Sequence, residues 1–368
     1  MSQVRHVLGI SGGKDSAALA LYMNQLYPEL DIEYYTSDTG KELEETYALI
    51  ERLNDLLKKP IKTLQAADGS DHAPFDHFLT RYGGYLPSAN SRWCTKKLKL
   101  DPFEKFVGDT PVISYVGIRG DEDREGYISK KSNIQSIFPF RQNIWSEDVI
   151  AKALANGNLS IMLDFYQQLP SQHQSTRFEE LLNQPLSPTF SRPQKLKLLL
   201  DTDTKAFNKI VFAYLKTTDY PLAKVDYFPL VENDEILVLN DIFRLLEDSG
   251  VGVPAYYKKI EFEVNGKKGE YARSRSGCYF CFFQQKIEWI WLYEQHPDKF
   301  ALAQAYEKDG YTWNEDETLE ELIAPERMQQ IKEDAIKRAE RTAKKTRSHY
   351  LVDILNDAES EGCAACFI

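Results

Sequence analysis

No stretch of this chain reaches the roughly 18 uninterrupted apolar residues that a membrane-spanning helix needs. Its first residues, MSQVRHVLGI, lack a signal-peptide pattern. The expected compartment is therefore the cytoplasm, with no membrane partner. An excess of positive charge is also missing, since 45 Lys and Arg stand against 56 Asp and Glu and leave a net charge of -11. That excludes a protein whose whole surface grips nucleic acid, but allows a local basic groove or a partner subunit that supplies phosphate contacts. The six histidines are scattered, with no HExxH or paired metal spacing, and they read as structural or surface residues. His72 and His77 form the one close pair, and Pro74 between them keeps them off a single helical face. No internal repeat and no Ser/His or carboxylate dyad is assigned.

What is present suits a globular protein. The chain has 368 residues, of which 42% are hydrophobic and 12% aromatic, ample for a buried core. Five cysteines, an odd number in a chain of cytosolic character, point to metal or redox chemistry rather than a disulfide framework.

HVLGI is a short apolar strand, and KDSAALALYMNQLY after it has apolar residues at helical spacing. DIEYYTSDTG gives a second strand, KELEETYALIERLNDLLKK a second helix, and TPVISYVGIR a later strand. Strands alternating with helices predict an α/β fold, a mostly parallel sheet flanked by helices with ligands at the carboxyl ends of its strands. From about Asn156 to Lys224 the sequence mixes Pro, Ser and Gln with helix-like runs and shows no strand alternation. The expected organisation is a nucleotide domain over 1–150, a helical insertion over 151–235, and a helical C-terminal region over 236–368 that ends in a flexible cysteine-containing tail. PERMQQIKEDAIKRAERTAKKTR starts at Pro325 as a helix should; its basic end, Lys337 to Arg347, reads as a solvated face ahead of a nucleic-acid contact.

SGGKDS, Ser11 to Ser16, joins the first strand to the first helix. Backbone N–H groups at such a glycine turn form an anion site, Lys14 adds a point charge, and phosphate is the natural occupant. The eight-residue Walker spacing is absent, which excludes an ordinary phosphoryl-transfer loop. The turn instead resembles the pyrophosphate loop of the N-type ATP pyrophosphatases, which have the adenine nucleotide alpha hydrolase-like fold and cleave ATP between its α and β phosphates. That resemblance implies that Ser11, Gly12, Gly13, Lys14 and Ser16 surround the pyrophosphate and that Asp15 helps to hold Mg²⁺. YYTSDTGKELEETYALI resembles the segment after the second strand in phosphoadenosine phosphosulfate (PAPS) reductase relatives, which places Asp38, Thr39 and Gly40 near the nucleotide. RWCTKKLKLDPFEKF, with Cys94, resembles their cysteine segment. VGIRGDEDREGY is similar to their Gly-x-Arg-x-x-Glu-Ser segment and contributes Gly117 and Arg119, with Asp123 where serine is usual and Arg124 early. The resemblance covers roughly residues 4–145 and 236–295.

RSRSGCYFCFFQQKIEW sets Cys278 and Cys281 in a Cys-x-x-Cys turn. With Cys94 and the basic residues Arg92, Lys96, Arg273 and Arg275 they suit an iron-sulfur cluster, because positive neighbours favour anionic sulfur. The resemblance implies four irons. Two other readings stay open: a zinc site from Cys278, Cys281, Cys363 and Cys366, and plain buried thiols. The terminal Cys363 and Cys366 are also candidates for a sulfur relay. The aromatics of CYFCFF read as an apolar jacket ahead of a base-stacking platform.

The combined pattern is most similar to the DndC and SspD proteins of bacterial DNA phosphorothioation. It implies an ATP pyrophosphatase and sulfurtransferase with ATP, Mg²⁺ and a 4Fe-4S cluster as cofactors. Lys14, Asp15 and Cys94 are then catalytic, and a cysteine desulfurase, DNA and partner phosphorothioation proteins are its partners. The alternatives are a sulfonucleotide reductase, a tRNA thiolation enzyme, and a nucleotide sensor without catalysis.

Overall fold

The computed structural model describes residues 4–122, 129, 131–308 and 310–344. Its centre is a five-stranded parallel sheet in the order β3-β2-β1-β4-β5, made of β1 (Arg5–Gly9), β2 (Ile32–Asp38), β3 (Ile61–Gln65), β4 (Val112–Tyr115) and β5 (Ile134–Ile137). His6 of β1 lies opposite Ile32 on one side and Ile113 on the other. The chain therefore winds outward from β1 through β2 and β3, then returns to β4. Between the carboxyl ends of β1 and β4 this opens the crevice in which doubly wound sheets hold ligands. The α/β architecture expected from the sequence is the one formed.

Two helices follow from the apolar patterning. α1 (Lys14–Leu26) is buried from Lys14 through Met23 and so lies within the fold rather than on it. α2 (Glu44–Leu57) buries Thr46, Leu49, Leu53 and Leu57, a single helical stripe. Alternate strand residues serve opposite faces: Leu8, Tyr34, Ile113 and Tyr115 join the core that contains α1 and α2, whereas Val7, Tyr35, Leu64 and Val112 pack on Phe103 and Val107. Before those two phenylalanine and valine residues come α3 (Pro74–Arg81) and α4 (Trp93–Thr95), and the pair themselves lie on α5 (Asp101–Val107).

After β5, residues 147–215 carry α6 (Glu147–Ala153), α7 (Leu159–Gln167), α8 (Thr176–Asn183) and α9 (Arg192–Leu215). Met162, Tyr166, Phe178, Leu199 and Phe207 of these helices belong to the same core as α1. α10 (Leu239–Asp248) packs along α1. The C-terminal region adds a hairpin that the helical reading did not include: β6 (Ile260–Val264) pairs antiparallel with β7 (Lys267–Tyr271) around Asn265-Gly266. Both turn residues have positive φ, 49° and 71°, the turn chemistry that an Asn-Gly pair supplies. Then come α11 (Lys286–Gln295), α12 (Pro297–Gln304), α13 (Leu319–Leu322) and α14 (Pro325–Lys344). A second core of Trp289, Trp291, Phe300, Trp313 and Leu319 includes Phe75 of α3 and Trp93 of α4, so it fastens the C-terminal region to the sheet domain.

A candidate nucleotide and cysteine site

The chain leaves β1 and enters α1 through a turn that only glycine can make. Gly12 has φ +71°, and a Cβ there would lie 2.2 Å from Thr46 Cγ2 of α2. Gly13 is the N-cap of α1, and a Cβ on it would come within 2.5 Å of Ser276 Oγ. The hydroxyl of Ser16 accepts from Ser11 N at 3.1 Å and donates to Gly13 O at 3.2 Å, while Ser11 Oγ lies 3.1 Å from it. The two serines thus brace a turn whose first helical N–H groups face the crevice end of the sheet.

Charge is concentrated on the next two residues. Lys14 and Asp15 are buried, at 8% and 4% exposure. Asp15 takes the Arg119 guanidinium at 2.8 Å on one oxygen and Lys14 Nζ at 3.3 Å on the other. Arg119 also pairs with Asp121 at 2.8 Å and with Glu122 at 3.1 Å. Burial works against the Arg119 charge, but Asp15 and the other carboxylates outweigh it and hold its pKa above the usual arginine value. Gly117, between β4 and Arg119, is where the two segments touch: a Cβ there would sit 2.9 Å from the carbonyl oxygen of Asp15. The structure therefore brings Gly117 and Arg119 against the Ser11–Ser16 turn. Asp123 and Arg124 lie outside the described residues.

A second set of contacts comes from residues more than 240 positions away, and nothing in the local pattern of the turn announces them. Tyr256 donates its hydroxyl to Gly12 O at 3.0 Å, and Thr46 Oγ1 donates to Tyr256 at 3.4 Å. Lys14 N donates to the Tyr257 hydroxyl at 3.4 Å, and Lys14 Nζ lies 4.6 Å from the centre of the Tyr257 ring. The same ammonium reaches Ser274 O at 3.3 Å. The segment that precedes the Cys-x-x-Cys turn is thus built onto the Ser11–Ser16 turn.

The loop after β2 completes the join. Asp38 Oδ1 accepts from Gly40 N at 2.8 Å and from the Tyr47 hydroxyl at 2.9 Å. Thr39, 1% exposed, donates to Glu42 Oε1 at 2.6 Å and shares a 3.2 Å hydrogen bond with Cys278 Sγ. Glu42 and Cys278 form a β-bridge, and Tyr279 N donates to Lys41 O at 2.9 Å. Cys281 N donates to Cys278 O at 3.1 Å, which closes the Cys-x-x-Cys turn.

Cys94, on α4, packs against the same aromatic core as Cys278 and is an electrostatic neighbour of Cys281. The three predicted cysteines therefore share one region. Burial pushes the Cys94 thiol up to about 12, Cys281 adds to that, and Lys99 and Thr95 oppose it. Cys278 is raised in the same way, by burial first and then by Glu42, against Lys99 and the Thr39 hydrogen bond. Burial also raises the Glu42 carboxyl, with Asp38 adding to the effect. The lysine that acts on the thiols is thus Lys99, whereas Lys96 of the expected basic frame is exposed. Lys99 lies five residues beyond Cys94, outside the three- or four-residue spacing of ordinary helical neighbours, in a π-helical turn Lys96–Leu100 that residue spacing did not single out.

Sulfur donors of this kind suit an iron-sulfur cluster. Among the described residues, however, no group of three or more His, Cys, Asp or Glu side chains is placed to hold a metal ion. Cys363 and Cys366, needed for the zinc alternative, lie outside the described residues. Tyr279 and Phe280 are 3% and 1% exposed, and Phe280 stacks on Trp313 at 4.8 Å, so these two rings are core and present no platform for a base.

Fold and site together define an α/β protein of the nucleotide-binding fold type whose Ser11–Ser16 turn adjoins a group of cysteines. Residues 5–150 match the family model of the phosphoadenosine phosphosulfate reductase domain, which supports a likeness to that family over this part of the chain. The chain is 30% identical over 154 residues to an uncharacterized protein of Methanocaldococcus jannaschii, covering 38% of this chain and 30% of that protein. It is 27% identical over 145 residues to an uncharacterized nin region protein of Escherichia phage lambda, covering 32% of this chain and 49% of that protein. The chain thus spans between about a third and a half of the length of these curated relatives.

Proposed function

We propose that this protein is an ATP-dependent sulfurtransferase that activates an oxygen of a nucleic-acid backbone by adenylation and replaces it with sulfur, as in bacterial DNA phosphorothioation linked to phage defence. The observation that supports the proposal is the 3.2 Å contact between Thr39 Oγ1 and Cys278 Sγ, because it brings the Cys-x-x-Cys turn to the loop after β2, where the proposed nucleotide would lie. In the first step an acceptor oxygen attacks the α phosphorus, the α–β bond breaks and pyrophosphate leaves. Lys14 and the amides of the Ser11–Ser16 turn stabilise the charge that develops on the departing group. In the second step a sulfur nucleophile displaces AMP, now a good leaving group, from the acceptor. Buried Tyr256 and half-buried Tyr257 would restrict the access of water, which would otherwise hydrolyse the adenylate.

Magnesium, bound with ATP, would neutralise phosphate charge, with Asp15 as the residue that holds it. A 4Fe-4S cluster on Cys94, Cys278 and Cys281 belongs to the same proposal and would supply a metal site for sulfur beside the nucleotide. A cysteine desulfurase supplies the sulfur as a persulfide, a thiol reductant releases it as sulfide for the second step and is oxidised to a disulfide, and partner proteins help to present the DNA, in keeping with the net charge of -11. The work is done in the cytoplasm.

A second reading, a sulfonucleotide reductase, is favoured by the family model that matches residues 5–150. It does not need ATP cleavage, and the complete SGGKDS turn counts against it. A tRNA thiolation enzyme would share the ATP chemistry and differ only in acceptor. One experiment separates the three. The anaerobically prepared protein is supplied with ATP, Mg²⁺, a desulfurase, radiolabelled cysteine and a thiol reductant, with DNA or tRNA as acceptor, and in a parallel reaction with adenosine phosphosulfate and the thiol alone. Pyrophosphate release with label on DNA supports the proposal, label on tRNA moves it to the alternative acceptor, and thiol-dependent sulfite release from adenosine phosphosulfate without pyrophosphate overturns it.

A further inference from the structure

Arg273 follows β7 and is 3% exposed, yet its Nε and Nη1 have no hydrogen-bond partner. Nη2 is occupied: it donates to Cys278 O at 3.0 Å and to Gln284 Oε1 at 3.2 Å. Gln284, 5% exposed, has its own Nε2 buried and without a partner. Two adjoining side chains therefore bury a full positive charge and three nitrogen donors that receive no acceptor from the protein. Among the described residues no carboxylate forms an ion pair with Arg273. Leaving a buried guanidinium uncompensated is costly, and the ordinary remedy is an anion that accepts its hydrogen bonds.

The position of Arg273 narrows the choice. Its guanidinium lies 5.9 Å from the centre of the Tyr256 ring, the Tyr256 and Tyr257 ring centres are 4.6 Å apart, and Lys14 Nζ lies over Tyr257. Two tyrosines thus separate the lysine of the phosphate turn from the arginine of the cysteine turn. We propose that Arg273 and Gln284 form a second anion site, distinct from the Ser11–Ser16 turn, which takes a tetrahedral oxyanion of the substrate, a phosphodiester or a sulfonate, and holds it beside the cysteines. Several acceptor oxygens on one centre match several donors on two side chains. The purpose of the site rests on the sulfur-transfer reading, and its test separates the two.

The test is equilibrium dialysis of the full chain with radiolabelled sulfate and phosphate, in a Lys14→Ala background that weakens the phosphate turn. Sulfate binds saturably in that background. Adding Gln284→Glu weakens it by about 30-fold or more, because the new carboxylate becomes the internal counter-ion of Arg273. This variant keeps the Oε1 acceptor, so loss of binding with an unchanged circular dichroism spectrum and a raised melting temperature identifies charge compensation rather than misfolding. Arg273→Met loses binding as well. No sulfate binding in the Lys14→Ala chain, or equal affinity with and without Gln284→Glu, overturns the proposal. Displacement of sulfate by a short single-stranded oligonucleotide assigns the site to a phosphodiester, displacement by adenosine phosphosulfate assigns it to a sulfonate, and displacement by neither contradicts a substrate role. If sulfate binds as expected in the Lys14→Ala chain and the unsubstituted chain yields no pyrophosphate from ATP, the anion site stands and the proposed function falls; the reverse pattern removes the anion site alone.

Discussion

Thr39 Oγ1 and Cys278 Sγ share a 3.2 Å hydrogen bond across 239 residues of sequence; when the thiol ionises, the single Thr39 proton, otherwise given to Glu42, turns to the sulfur, so the contact works against the burial that raises the thiol. Thr39→Val removes the hydroxyl and keeps the shape. Cys278 should then be harder to ionise, and its alkylation by iodoacetamide at pH 8 should slow by about tenfold, one unit of pKa. Site-resolved mass spectrometry reads the rate, and an unchanged rate would show that the bond does not act on the thiol.

Cys94 offers a pH test. A thiol raised to about 12 stays protonated through the range in which an ordinary cysteine, near about 8.5, ionises. Its alkylation rate should climb about tenfold per pH unit from about 7 to 10 without levelling. A plateau near pH 9 would contradict the assigned burial.

Asp15 and Arg119 make a buried pair at 2.8 Å. Arg119→Met leaves the carboxylate with Lys14 alone at 3.3 Å, and unfolding in urea should show a loss of about 3 kcal/mol or more. A loss under about 1 kcal/mol, the surface-pair range, would mean that the pair is wetter than the structure shows.

Gly12 and Gly83 both have positive φ, 71° and 66°, but their surroundings differ. A Cβ on Gly12 collides with Thr46, whereas one on Gly83 meets nothing within 4 Å. Gly83→Ala should cost only about 1–2 kcal/mol of backbone strain. Gly12→Ala should cost more and abolish ATP binding, because the turn must move to admit the methyl. Isothermal titration with ATP and a urea melt of each variant distinguish the two sites, and equal effects would remove the steric argument.

Glu317 ties α14 to α11. It meets Arg327 at 2.7 Å and Lys286 at 2.5 Å, and the Arg327 hydrogen bonds, opposed by burial and aided by Lys286, lower its pKa to about 2. Because the folded pKa lies below the unfolded value, the stabilisation is complete above about pH 4.5 and fades as pH falls toward about 2. Glu317→Gln should cost on the order of 3 kcal/mol at pH 7 and almost nothing at pH 2. A cost that does not change with pH would assign Glu317 a packing role.

Some of this was legible in the sequence and some was not, for physical reasons. The β1–α1 turn, β2 with its Asp38 loop and the Cys278–Cys281 turn are local patterns, in which residue type and spacing carry the geometry. β3 and β5 were missed because IKTLQ is a largely exposed edge strand and IQSI is four buried residues with polar ones inside, so neither shows alternation. The hairpin β6–β7 had its signal in Asn265-Gly266, which a helical reading of the region passed over. Tyr256, Tyr257 and Ser274 are different. They act on Gly12 and Lys14 through tertiary contacts, and no periodicity within a segment encodes a neighbour from the other end of the chain.

The most direct test of the central claim uses ATP labelled in its β phosphate, incubated with the anaerobically prepared protein, Mg²⁺, DNA and a sulfur donor. Label recovered in pyrophosphate with AMP as the partner product, and lost in Lys14→Ala, is the predicted result. Label recovered in ADP, or an absence of pyrophosphate with every component supplied, would contradict the account.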